Sequence, residues 1–266
     1  MKTKLFILSL FLFLLTVSTS ASVKLSKDAT ISILTCSPGN ELYSLFGHTG
    51  IRVVDKANNM DIVFNYGTFD FDTQGFYFKF ARGLLPYQLS CSEFRRFLSS
   101  YIYDKRSVYS QTLNLDSIQK QYLMDLLIEN YQPANREYLY NFLYDNCSTR
   151  VRDIIEKSTG NQITWIAQPS TKSFWNLLDE YLGRSPWIQW GIHTILGSPA
   201  TSTATLREQM FLPDYLMYHL DSAAYNGTPL VQPIETVYEA PEQDLSTPWY
   251  FSPFFVFAIC TLALVS

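Results

Sequence analysis

YNFLYDNCSTRVRDIIEK, residues 140–157, is the stretch on which the fold turns. Asp145 and Asn146 are both good N-caps, and Val151, Ile154 and Ile155 recur at helical spacing before Gly160 stops the run. A helix therefore opens at Cys147. Its first turn carries unpaired backbone N–H groups and the positive end of the helix dipole, both of which favour an anion. A thiol placed there is expected to ionise near neutral pH. A histidine able to take its proton would complete a Cys–His nucleophile of acyl transfer. Upstream, LFGHTGIRVV (residues 45–54) supplies the candidate, His48, where a strand begins. The bland alternative is that a lone Cys is a small buried hydrophobe and a lone His a satisfied core residue.

Around these two anchors the periodicity changes along the chain. Residues 30–35 (TISILT) and 48–54 read as strands, DKANN (residues 55–59) as a turn, and residues 62–66 as the returning strand of a hairpin. Residues 41–46 read as one helical turn, and further strands are expected at 76–80 and 107–113. Ser90 to Glu93 resembles a capping box opening a helix with Phe94, Phe97, Leu98 and Tyr101 on one face. Asp116 with Gln119 opens another, carrying Tyr122, Leu123, Leu126 and Leu127. Residues 136–144 read as a short helix before Cys147. Strands first and helices after point to an α+β domain.

A turn centred near Lys56 and Ala57 sets His48 across from the neighbourhood of Asn65, within cross-strand reach. Asn65 would then orient the imidazole as the third member of a catalytic set. Tyr66, Asp70 and Asp72 are its rivals, and Asn65 as a mere strand terminus is the structural alternative. His193 and His219 look peripheral. Arg150 and Arg152 either face a phosphate or form a solvated helix surface.

The 266 residues suffice for one large domain or two small ones, and 47% hydrophobic content with 16% aromatics is ample for a core. A charged fraction of 17% and a formal net charge of −4 argue against nucleic acid as a partner. There is no glycine-rich phosphate loop, and neither a cofactor nor a metal is called for. Residues 1–21 read as a signal peptide: Lys2 and Lys4, an apolar run, then small residues ending at Ala21. Residues 22–220 form the exported domain and 221–248 an acidic linker without Lys or Arg. Residues 249–266, uncharged and led by Trp249 and Tyr250, read as the start of a transmembrane helix. Export would permit a Cys36–Cys91 disulfide, leaving Cys147 free. Residues 165–200, with Trp175, Trp187 and Trp190, read either as a bilayer-facing stretch or as an aromatic cap on the core. Residues 207–220 form a last amphipathic element.

CSPGNELYSLFGHTGIRV, VFNYGTFDF, YNFLYDNCSTRVRD and FLPDYL, in that order, resemble the N-terminal periplasmic domain of Lnb-type lipoprotein N-acyltransferases over about residues 30–220. The resemblance implies a permuted papain-like thiol-enzyme domain, anchored on the periplasmic side of the bacterial inner membrane and followed by a multi-span membrane domain. It carries over His48 and Cys147 as the catalytic pair, and Asn65 only as a neighbour within a matching motif. The implied partners are a membrane phospholipid as acyl donor and a diacylated lipoprotein as acceptor. Two other classes stay open: a periplasmic cysteine peptidase or amidase acting on cell-wall peptides, and a non-catalytic membrane-tethered binding domain.

Overall fold

The computed structural model describes residues 23–69, 72–75, 79, 85–166, 171–183, 185–241 and 248–265. The expected signal peptide and most of the strand expected at 76–80 lie outside them. Among the described residues the strands are β1 (Thr30–Cys36), β2 (His48–Asp55), β3 (Met60–Thr68), β4 (Pro86–Glu93), β5 (Val108–Thr112), β6 (Glu137–Leu139), β7 (Ile163–Thr164), β8 (Ala224–Tyr225), β9 (Thr228–Pro229) and β10 (Glu235–Tyr238). Seven form one sheet in the order β10-β5-β1-β2-β3-β4-β6, with every pairing antiparallel. The helices are α1 (Phe94–Tyr103), α2 (Ser117–Tyr131), α3 (Cys147–Ser158), α4 (Phe174–Leu182), α5 (Pro186–Leu196), α6 (Leu206–Gln209), α7 (Pro213–Ser222) and α8 (Pro253–Val265). The architecture is α+β, as expected.

Strand alternation divides the core. On one face Ile31, Ile33, Ile51, Val53, Phe64, Tyr66 and Leu89 meet Leu123, Met124 and Leu127 of α2 and Val151, Ile154 and Ile155 of α3. On the other, Leu34, Cys36, Val63 and Val108 meet Phe97 and Tyr101 of α1. A third cluster joins Leu45 to Phe174, Leu177, Leu178 and Leu182 of α4 and to Phe211 and Leu212. The Asp116–Gln119 capping box forms as expected.

Several local expectations yield to tertiary pairing. Ser90 to Glu93 do not open a helix. Ser90, Cys91, Ser92 and Glu93 pair with Asn65, Phe64, Val63 and Ile62, and the Ser90 hydroxyl bonds Thr68 Oγ1 at 2.7 Å. The ladder thus satisfies the groups that a cap would have used, and α1 starts only at Phe94. Residues 136–144 are not a helix either. Glu137 to Leu139 pair with β4, and Asn141 Oδ1 accepts from the N–H groups of Leu143 and Tyr144 in a tight turn. The amphipathic element at 207–220 is two helices, because Pro213 takes the first position of α7 and cannot continue α6.

Residues 221–241, read from sequence as linker, supply structure. β8 and β9 join β7 in a small sheet, and β10 extends the main sheet beyond β5. No described helix is long and apolar enough to cross a membrane. The 13 residues of α8 rise about 20 Å, against about 30 Å of hydrocarbon. All four cysteines are free. Cys36 on β1 and Cys91 on β4 are separated by two intervening strands, about 14 Å at the usual spacing and beyond the reach of a disulfide.

Candidate active site

Asn146 builds the start of α3. Its Oδ1 accepts from the N–H groups of Ser148 and Thr149, both at 2.9 Å, while its backbone N–H donates to Thr149 Oγ1 at 2.8 Å. Its Nδ2 donates to the carbonyls of Phe142 at 2.8 Å and Phe211 at 2.9 Å. One buried amide thereby ties the Cys147 helix to the preceding turn and to the segment before α7. Cys147 is 9% exposed. The backbone N–H groups of Thr49, Ser148 and Cys147 itself are directed at its sulfur and favour the thiolate, as does the positive field of Arg106. Burial outweighs them and holds the thiol pKa above its ordinary value. The thiolate expected at neutral pH is therefore corrected: the resting group is a protonated thiol, because it is desolvated as well as placed at a helix start.

His48 is the first residue of β2, paired with Cys36 of β1. The β2–β3 turn is a 3-10 turn over Lys56–Asn58, and the register runs Ile51 to Phe64. Continued by one pair, it opposes Asn65 to Gly50. A Cβ on Gly50 would lie 3.0 Å from Asn65 Oδ1, so glycine there leaves room for the amide to reach along the strand. Asn65 Oδ1 lies 3.3 Å from His48 Nε2. With that oxygen accepting, Nε2 carries the hydrogen and Nδ1 is the basic nitrogen. Burial and Arg106 lower the imidazole pKa to about 4, with Asn65 partly opposing them. His48 is thus neutral at pH 7.

His48 and Cys147 line one cavity of about 470 Å³, together with Phe46, Gly67, Tyr87, Tyr140 and Phe142 and with one face of α5. Among the described residues no hydrogen bond joins His48 to Cys147; they meet as neighbouring walls. His48 also lines a smaller polar cavity of about 270 Å³ with Asn65, Thr68, Arg96, Ser100 and Tyr101.

The other expected site residues that are described do not line the cavity that holds His48 and Cys147. Tyr66 is buried and its hydroxyl accepts from Asn130 Nδ2 at 2.7 Å; Asp70 lies outside the described residues. Asp72 falls in a turn after β3 and does not line the cavity that holds Cys147. Arg150 is held by Asp145 at 2.5 and 2.8 Å and stacks over Tyr138. Arg152 is buried, donating to Asp153 and to the Arg207 carbonyl. Neither guanidinium is thus a free phosphate ligand. His193 stacks on Trp175 with 4.7 Å between ring centroids and lies 2.8 Å from Asp179. His219, on α7, has its pKa lowered by burial. No cluster of metal-binding residues occurs among the described residues.

Sequence reasoning missed Arg106 and the backbone of Thr49. Arg106 is 6% exposed, donates from Nε to the Ser37 carbonyl at 2.8 Å, and lies over the Tyr101 ring. Its field reaches Cys36, His48 and Cys147 alike. In sequence it sits in Asp104-Lys105-Arg106, which reads as an ordinary charged turn, and nothing local marks it.

The sequence profile of the Lnb N-terminal periplasmic domain matches residues 19–179, more than half of the chain and both His48 and Cys147. The chain belongs to that family. No curated protein and no solved structure matches it. The Lnb N-terminal match ends inside α4, so α5 and everything after it lie beyond the matched residues.

Proposed function

We propose that this Lnb-family domain is the catalytic part of a lipoprotein N-acyltransferase with Cys147 as nucleophile, His48 as base and Asn65 as orienting residue. The observation that carries the proposal is the meeting of His48 and Cys147 on one mainly apolar cavity, with backbone N–H groups gathered around the sulfur. Family membership supports the link to lipoprotein processing. The order of the parts, a His strand before a Cys helix, fits a permuted papain-like arrangement.

The first half-reaction begins with neutral partners. As Sγ bonds to the ester carbonyl carbon of a phospholipid, its proton passes to His48 Nδ1, and the carbonyl oxygen takes the negative charge. The N–H of Cys147 at the start of α3, with that of Thr49 beside it, would be the donors for that oxyanion. The C–O bond then breaks, the lysophospholipid oxygen takes the proton from His48, and Cys147 holds the acyl chain as a thioester. In the second half the α-amine of a diacylglyceryl cysteine attacks the thioester carbonyl. The C–S bond breaks, and the amine proton returns through His48 to the thiol. The missing His48–Cys147 hydrogen bond is compatible with this scheme, because such bonds tighten when substrate occupies the site. Aromatic exposure at Trp190, Trp249, Phe254 and Phe257 suits a domain working at a membrane surface on the periplasmic side.

The test is full-length protein incubated with phospholipid vesicles and a diacylated lipopeptide bearing a free amine, read by mass spectrometry. An acyl adduct on Cys147 followed by an N-acylated peptide is the expected result, with both absent in Cys147→Ala and His48→Ala. Free fatty acid without amide product would favour a hydrolase, and cleavage of cell-wall peptides a peptidase or amidase. No adduct of any kind would return the pair to the role of core residues in a binding domain.

A further inference from the structure

Helix α5 presents Ile188, Gly191, Ile192, Ile195 and Leu196 to the cavity that holds Cys147. The spacing i, i+3, i+4, i+7, i+8 is a single helical face. None of the α5 residues is fully buried, although the helix is apolar almost throughout. Ile188, Ile192 and Leu196 also pack against the cluster built on α4, so this face is packed in part and borders the open cavity in part. Ile195 is 77% exposed, and Leu42 and Tyr43 on the same cavity are 51% and 53% exposed, so apolar side chains continue from the interior out to the surface.

Gly191 stands in the middle of this face. Glycine is among the poorest residues for a helix interior, and two ordinary reasons for it are missing here. Its φ is not positive, and an added Cβ would meet no atom within 4 Å. Neither backbone conformation nor close packing asks for glycine, and the space that it leaves belongs to the cavity.

We propose that this face of α5 is the acyl-chain wall of the Cys147 site, and that Gly191 sets the length of chain admitted. The inference rests on the thioester mechanism above but adds to it, since α5 lies beyond the matched family span. A chain lying along this wall would bring only its ester end to the polar groups at Cys147. A side chain at Gly191 would project into the volume that the distal methylenes occupy, leaving that ester end unobstructed.

The test uses the full-length chain in vesicles holding equal amounts of dioctanoyl, dimyristoyl and dipalmitoyl phosphatidylethanolamine, with intact-protein mass reporting which chain is carried on Cys147. In Gly191→Leu and Gly191→Phe the ratio of octanoyl to palmitoyl adduct should rise about tenfold or more, the scale on which hydrophobic pockets discriminate methylenes. Ile192→Ala should move the ratio the opposite way. An unchanged ratio in Gly191→Phe, with native circular dichroism, overturns the proposal. Should the bulky variants misfold, a binding arm decides: Cys147→Ala protein is photolysed with palmitate bearing a terminal diazirine, and the labelled peptide is identified. Label within residues 186–196 supports the wall even if wild type yields no thioester, an outcome that would sink the nucleophile alone. A thioester in wild type with label elsewhere sinks the wall alone.

Discussion

Replacing Asn146 should unfold more than a helix cap. The side chain accepts from two N–H groups of α3 and donates to two carbonyls, those of Phe142 and Phe211, at 3% exposure. Losing an N-cap costs about 1 kcal/mol, and each buried carbonyl left without a donor adds about 1–3 kcal/mol. Asn146→Ala is therefore expected to cost about 3–7 kcal/mol in all. With a urea slope of about 3 kcal/mol per molar, that lowers the unfolding midpoint by about 1–2 M at constant slope. Tryptophan fluorescence of the chain in mild detergent would follow the transition. The discriminating variant is Asn146→Asp, which keeps the capping oxygen but turns a second oxygen toward the two carbonyls. It should be at least as unstable as Asn146→Ala. Stability within about 1 kcal/mol of wild type for Asn146→Asp, the range of unremarkable substitutions, would refute the assignment of the amide as a tie between three segments.

Three further outcomes are expected. Because burial raises the Cys147 pKa above 9.0 and that of Cys36 to about 12, iodoacetamide should modify Cys147 faster than Cys36, with the Cys147 rate climbing only in alkaline solution. A plateau reached below neutrality would contradict the desolvated thiol. The His48 pKa falls from 6.5 to about 4 on folding, so between those values the unfolded chain binds a proton that the folded chain does not. Stability then rises with pH across that window and is lost as pH falls through it. The acid limb of thioester formation should accordingly lie near pH 4, and a limb at the ordinary imidazole value would refute the buried neutral base. Gly50→Ala places a Cβ 3.0 Å from Asn65 Oδ1 and 3.2 Å from Val63 Cγ1. The displaced amide should slow thioester formation by about tenfold to a hundredfold with little change in urea midpoint, whereas an unaffected rate would remove Asn65 from the positioning of His48.

Sequence by itself determined the features set by neighbours along the chain. The Asn146 cap, the α3 face of Val151, Ile154 and Ile155, the Asp116–Gln119 box and the β2–β3 hairpin with Asn65 near His48 all depend on contacts a few residues away or across one tight turn. The motif blocks likewise pointed to the family. Tertiary structure alone decided what competing long-range partners settle. Ser90 to Glu93 and residues 137–139 went to the sheet because β3 and β4 offered them ladder hydrogen bonds. Residues 221–241 joined the domain because β5 had an open edge for β10. The ionisation of the site belongs to the same class. A helix start is written in sequence, but the burial that keeps Cys147 a thiol and His48 neutral is assembled from remote segments, as is the approach of Arg106. Desolvation depends on everything packed around a group, and no local pattern records it.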